Sequence, residues 1–186
     1  MTYSIIGILA SIILVIINRD VLWVGDDKDL TRTQRNYRNF LMGVLCYYIT
    51  DMLWGVLDDH HLTAALYVDT VVYFLAMAIT VMLWTRYVVV YLEDKNIFGT
   101  ILFYAGILLL AFDIVALAVN VFHPIMFWFD EAGAYNAGGA RYVTLVIQIM
   151  LFPLTSIYTL GVTLKTEGAV RHRHLAIGLF GIAMVL

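Results

Sequence analysis

Charge is scarce in this chain. Only 13% of its 186 residues are Asp, Glu, Lys or Arg, against about a quarter in a soluble domain. A solvated shell around a soluble core is therefore excluded. Cys46 is the only cysteine, which excludes an intrachain disulfide and any cysteine-cluster metal site. It sits in an apolar run and is assigned to packing. Of the two prolines, only Pro153 falls inside an apolar run, where it is expected to bend a helix. The N-terminal stretch MTYSIIGILASIILVIIN has no basic n-region and no small-residue cleavage site. It reads as a retained first span, not a signal peptide. No HExxH motif, phosphate-cradling glycine loop or nucleophile–base pattern is present, so no catalytic residues and no enzyme activity are assigned to these 186 residues.

What is abundant is apolar length, at 62% hydrophobic residues. Six runs emerge: Thr2 to Ile17, Phe40 to Leu57, Leu62 to Leu92, Ile97 to Val121, Arg141 to Leu164, and a sixth from Leu175. A bilayer crossing needs ~20 mostly apolar residues. The fold class is thus an all-α polytopic transmembrane helical bundle with six visible spans. The sixth run, LAIGLFGIAMVL, reaches ~18 Å, short of the ~30 Å hydrocarbon core. It is expected to end in mid-span, making the chain a fragment of a seven-span protein whose whole visible length, 1–186, is one domain. Ten of the eleven Lys and Arg fall on one side: Arg19, Lys28, Arg32, Arg35, Arg38, Arg86, Lys95, Lys165, Arg171 and Arg173. Arg141 stands alone on the other. The positive side is expected to face the cytoplasm, with the N-terminus outside.

Asp51 lies well inside the second run, and a carboxylate at the centre of a membrane helix costs roughly +2.5 to +3.5 kcal/mol on insertion scales. A helix keeps it when it faces protein, a partner or water. Tyr47, Asp51, Trp54 and Asp58 share one stripe at steps of four, three and four. Counted from the outer ends at ~1.5 Å per residue, Asp51, Asp69, Asp113 and Gln148 all fall at a depth of ~9–12 Å. Two stripes run inward from this level: Asp69, Tyr73, Met77, Thr80 and Trp84 on the third run, and Thr144, Gln148, Phe152, Thr155 and Thr159 on the fifth. The expectation is an outward-opening ligand pocket between helices. Asp51, Asp69, Asp113 and Gln148 would be its polar anchors, and Trp54 and Tyr73 its walls. The loop Phe122 to Ala140 would be its lid. With three carboxylates and no basic residue at that depth, a cationic or hydrogen-bonding ligand is expected. Against this stands the plainer reading that each polar group only hydrogen-bonds a neighbouring helix.

Other features have bland readings. Trp23, Trp84, Tyr87, Tyr91 and Trp128 suit membrane-interface anchors. Arg32, Arg35 and Arg38 suit cytoplasmic charges that attract anionic lipid, and Arg86 is expected to snorkel. His60 and His61 beside Asp58 and Asp59 are adjacent, not spaced as helix-face ligands, so neither a metal nor a cofactor is assigned. Three functions fit: a sensory input domain, a proton- or cation-coupled transporter or channel, and a retinal protein whose Schiff-base lysine lies on an unseen helix. No internal repeat supports transport, and no lysine lies deep in a visible span.

The segments RNYRNFLMGVLCYYITDMLWGVLDD, VVYFLAMAITVMLWTRYVVVYL and FWFDEAGAYNAGGARYVTLVIQ resemble the membrane sensor regions that precede GGDEF diguanylate cyclase domains in gut-type Firmicutes. The resemblance is one of general pattern across most of the chain. It implies an input domain in the bacterial cytoplasmic membrane, with a cytoplasmic cyclase lying outside these residues. The expected partners are the lipid bilayer and a small-molecule ligand, with no nucleic acid. A homodimer would form through the missing output domain.

Overall fold

The computed structural model describes residues 2–23, 25, 30–93 and 96–183. Lys28, Lys95, the link at 94–95 and the last residues of the sixth run lie outside them. The order is α1 (Thr2–Ile17), α2 (Arg19–Leu22), α3 (Arg32–Asp59), α4 (Thr63–Leu92), α5 (Ile97–Asn120), β1 (Phe127–Phe129), β2 (Tyr135–Ala137), α6 (Gly139–Thr163) and α7 (Ala169–Ala183).

α3 starts well before its apolar run. The Thr31 side chain accepts from the Gln34 backbone N–H at 3.2 Å, and Gln34 Oε1 accepts from the Thr31 N–H at 2.9 Å. This reciprocal pair satisfies two helix-start donors and makes helix of Arg32 to Asn39, which hydropathy alone left as a polar segment. Asn96 caps α5, its side chain accepting from the Gly99 N–H at 2.7 Å. Glu93 ends α4 in a left-handed conformation, with φ at 50°.

Four helices, α3 to α6, are long and apolar enough to cross a membrane. Their 24 to 30 residues reach ~36–45 Å against a core of ~30 Å. α1 and α7, with 16 and 15 residues, reach ~24 and ~22 Å. Four of the six expected spans are therefore full-length helices, and the described parts of the first and sixth are shorter. Large apolar side chains cover much of the outside, including Ile5, Ile17, Leu108, Val115 and Val146. Cys46 faces outward on α3 and is not part of the packing assigned to it.

α4 is the hub, packing on α3, α5, α6 and β1. Its antiparallel seam with α3 is read from paired side chains: Trp54 with Thr70, Tyr47 with Tyr73, Phe40 with Trp84 and Tyr37 with Tyr87. At the α5 seam the backbones come close. A Cβ on Gly106 would strike Thr85 Oγ1 and stand 3.2 Å from Met82 Cα, so glycine is what lets these helices approach. Trp84 is 2% exposed. Its ring meets Phe40, Tyr87, Phe152 and Phe180, and its indole N–H donates to Thr155 Oγ1 at 3.1 Å. Trp84 and Tyr87 are thus core residues and not interface anchors: α6 and α7 cover Trp84, and Tyr37, Trp84 and Tyr91 pack on Tyr87. Trp23 and Trp128 are exposed.

The expected loop at 122–140 contains a small antiparallel hairpin. Phe127 pairs with Ala137, Trp128 with Asn136 and Phe129 with Tyr135. Asp130 Oδ1 organises its turn by accepting from the Ala132 and Ala134 N–H groups at 3.0 and 2.8 Å. Asn120, at the end of α5, pins the hairpin to the bundle. Its Oδ1 accepts from the Met126 and Phe127 N–H groups at 2.7 and 3.1 Å, and its Nδ2 donates to the Phe127 carbonyl at 3.0 Å. Phe127 is fully buried against Tyr67 and Phe74. A Cβ on Gly138 would overlap the Ile125 carbonyl, so only glycine lets the strand return so tightly to α6. The segment forms a hairpin roof over this end of the bundle.

Candidate functional site: an acid, a base and aromatic walls beneath the hairpin

The four polar anchors keep a common level. Asp51 lies eight residues before the end of α3, Asp69 six after the start of α4, Asp113 seven before the end of α5, and Gln148 nine after the start of α6. At 1.5 Å per residue these are ~9–14 Å from the hairpin-side helix ends. They do not share one cavity. Asp51 lines an open cavity at the α3–α4 seam, Asp113 is closed into the α5–α6 seam, and Asp69 and Gln148 are buried on α4 and α6.

The first group is open. Asp51, Trp54, Thr70, Tyr73, Phe74, Tyr135 and Arg141 line a cavity of about 280 Å³. Asp51, Trp54 and Tyr73 are expected site residues that the fold brings together there. The walls are held by polar ties at their rims. The Trp54 indole N–H donates to Thr70 Oγ1 at 3.2 Å, and the Tyr47 and Tyr73 hydroxyls share a hydrogen bond at 3.2 Å. Trp54 meets Tyr135 edge-on at 6.3 Å, and Tyr135 stacks on the buried Phe127 at 6.0 Å. The hairpin thereby fixes one wall of the cavity.

Arg141 corrects the expected chemistry. It lies in the first turn of α6, with its guanidinium carbon 5.3 Å from the centre of the Tyr135 ring, a cation–π distance. The cavity is not purely acidic. It carries one carboxylate and one guanidinium, and among the described residues the two make no ion pair with each other. Burial pushes the Tyr135 phenol up from its ordinary value, and this outweighs Arg141, which pulls it down. Tyr135 is neutral at physiological pH.

The second group is closed. Asp113 is fully buried, and its Oδ1 accepts the Thr144 hydroxyl proton at 2.6 Å across the α5–α6 seam. Gln148 is buried one turn further along α6. Asp69 is buried on α4, within electrostatic reach of Asp51. Asp113 Oδ2, Asp69 Oδ2 and Gln148 Nε2 find no hydrogen-bond partner among the described residues. Each such buried group costs about 1–3 kcal/mol. Asp69, Asp113 and Gln148 do not line the cavity, so the floor of three carboxylates reduces to Asp51. Asp58, which shares its helical stripe, is exposed. Among the described residues no three His, Cys, Asp or Glu side chains converge to hold a metal.

Reading the sequence missed Arg141, Thr70 and Phe74, and placed Tyr135 in the covering loop without making it a wall of the cavity. Thr70 and Phe74 had a signal, since they follow Asp69 and Tyr73 and share the broad α4 face turned to α3. Arg141 had a weaker one, standing within one turn of Thr144. No protein-family model, curated protein or solved structure matches the chain.

Proposed function

We propose that this chain is the membrane-embedded sensory input domain of a signalling protein, and that it binds a small zwitterion beneath the hairpin. One observation carries the reading: an acid and a base line the same small cavity without pairing with each other. A ligand bearing both charges satisfies both. Asp51 takes its cationic group, with Trp54 and Tyr73 offering π-faces beside it. Arg141 takes its anionic group through paired N–H donors. A volume of about 280 Å³ suits a molecule of amino-acid size, below the usual range for drug-sized ligands.

In this reading α1 and α7 also enter the bilayer, supported by the exposed isoleucines along α1. The arginine-rich end faces the cytoplasm. α3 and α4 run from the cavity to that end, and binding would be passed along their seam to an output module. The resemblance to GGDEF-linked sensor regions is the ground for taking that module as a diguanylate cyclase. The buried Asp113–Thr144 pair favours a second reading, proton-coupled transport, since transporters place carboxylates within their helices.

The test is a thermal-shift and calorimetric panel on the full chain in nanodiscs, using the standard α-amino acids and quaternary-ammonium carboxylates. At least one should bind, and Asp51→Asn and Arg141→Gln should each weaken it by about tenfold, or ~1.4 kcal/mol. No binding across the panel, or binding indifferent to both variants, refutes the proposal. Proton-linked uptake into liposomes would move the assignment to transport.

A further inference from the structure

The opposite end of the bundle carries a second site, independent of the first. Arg32 opens α3, Arg35 lies one turn on, and Arg86 lies near the end of α4. Capping at Thr31 and antiparallel packing of α3 on α4 bring these three to one place. With Asn36 and Asn39 they line a cavity of about 380 Å³. Asn36 is buried, and its Nδ2 donates to the Arg32 carbonyl at 2.8 Å, which stiffens the turn that presents Arg32 and Arg35. Arg32 also lines a larger groove of about 790 Å³, whose walls include Val89, Val90 and Ile101, with Glu93 and the α5 cap Asn96 alongside.

Arg32 and Arg86 bring two guanidinium groups to one cavity with the Asn39 side chain beside them, a donor set that suits an anion. Phosphate suits best, because the guanidinium fork matches two phosphate oxygens at once. Depth narrows the source. Arg86 lies 23 residues after Thr63, ~35 Å along α4 at 1.5 Å per residue, just past a hydrocarbon core of ~30 Å. With Thr63 taken at the outer edge of the hydrocarbon, this is headgroup level. The groove leading from Arg32 is apolar along one wall and opens at Ile97 and Ile101, both exposed on the outer side of α5.

We infer that Arg32 and Arg86 hold the phosphate of an anionic phospholipid, with an acyl chain lying along Val89, Val90 and Ile101. This is a seated lipid, distinct from the diffuse attraction that any cytoplasmic arginine exerts on an anionic leaflet.

The experiment uses the purified full chain, with native mass spectrometry to count retained lipid and thermal shift to read stabilisation. Phosphatidylglycerol, phosphatidylcholine and inorganic phosphate are compared. One phosphatidylglycerol should stay bound and raise the melting temperature, while the other two should do neither. Arg32→Gln and Arg86→Gln should each lower retention by about tenfold. Arg86→Lys, which keeps the charge and loses the fork, should lower it less and melt like the parent. Arg173→Gln, at the same end on α7 but outside the cavity, should leave it unchanged. Equal retention of both lipids overturns the inference. So does a loss with Arg173→Gln as large as with Arg86→Gln. Stabilisation by inorganic phosphate alone would make this a site for a soluble phosphate compound and overturn the lipid assignment.

Discussion

The two ends of the α3–α4 seam are built from the same kinds of residue and come out differently. Toward the arginine-rich end, Tyr37, Phe40, Trp84 and Tyr87 pack ring on ring with centroids 5.1–6.5 Å apart. Toward the hairpin, Tyr47, Trp54, Tyr73 and Tyr135 also meet as rings, at 5.1 and 6.3 Å, yet a cavity of about 280 Å³ remains among them. The contrast lies in what covers the seam. At the closed end α6 and α7 supply Phe152, Thr155 and Phe180 to Trp84. At the open end a three-residue strand pair supplies Tyr135, and Asp51 and Arg141 face the space. Interiors close when apolar surfaces meet on every side. At the open end an acid from α3 and a base from α6 border a space that a specific ligand can occupy.

Truncating a tryptophan at each end tests this contrast most severely. Trp84→Ala should destabilise the bundle by about 3 kcal/mol, the low end for buried Trp or Phe truncations, since lipid reduces the transfer contribution while the cavity remains. Trp54→Ala should cost about 1 kcal/mol, because its ring already borders empty space and loses mainly the bond to Thr70. Reversible unfolding in mixed micelles reads both. Equal losses would mean that the two ends are equally packed.

Much of the fold could be read in the residues because helical periodicity is local. The α6 stripe of Thr144, Gln148, Phe152, Thr155 and Thr159 is buried throughout, as 3.6-residue spacing requires. The spans at 97–121 and 141–164 lie within two residues of α5 and α6 at each end. What failed depends on neighbours. FWF and YNA are too short for strand alternation to show, so the hairpin read as loop. Trp84 and Tyr87 read as anchors because they stand near a helix end, and nothing local tells how many helices will cover that end. Depth placed Asp51, Asp69, Asp113 and Gln148 at one level. Facing, which depends on which helix lies beside which, set Asp51 on an open cavity and buried the other three. Arg141 was counted by the side of the membrane it falls on, and its reach to Tyr135 needed the hairpin.

The closed group on α5 and α6 gives a smaller effect and sharpens the contrast from the other side. Thr144→Val keeps the volume and removes the donor to Asp113 Oδ1. Interhelical hydrogen bonds in membranes average about 0.6 kcal/mol with maxima near 1.7. A fully buried carboxyl losing its partner should sit toward the top, at about 1–1.5 kcal/mol. The zwitterion affinity should not change, because neither residue lines the open cavity. Stability measured with binding on one preparation separates the two seams. A parallel fall in affinity would mean that they act as one site.

The smallest expected effect concerns pH and the roof. Burial raises the Tyr135 phenol above its ordinary value, against the lowering by Arg141. A phenol with a raised folded value stabilises the fold fully below its unfolded value of about 10. That contribution is lost as pH rises from there through the folded value, because the unfolded chain ionises first. Tyr135→Phe should therefore make the alkaline loss of stability shallower, with other tyrosines keeping part of the slope, and should cost the neutral part under about 1 kcal/mol, since the ring contacts to Phe127, Trp54 and Arg141 survive and only the hydroxyl's bond to Arg141 is lost. Unfolding midpoints of parent and variant at matched pH values from neutral to strongly alkaline decide it. A variant that loses stability with alkali as steeply as the parent would place the titrating group elsewhere and leave the roof no part in it.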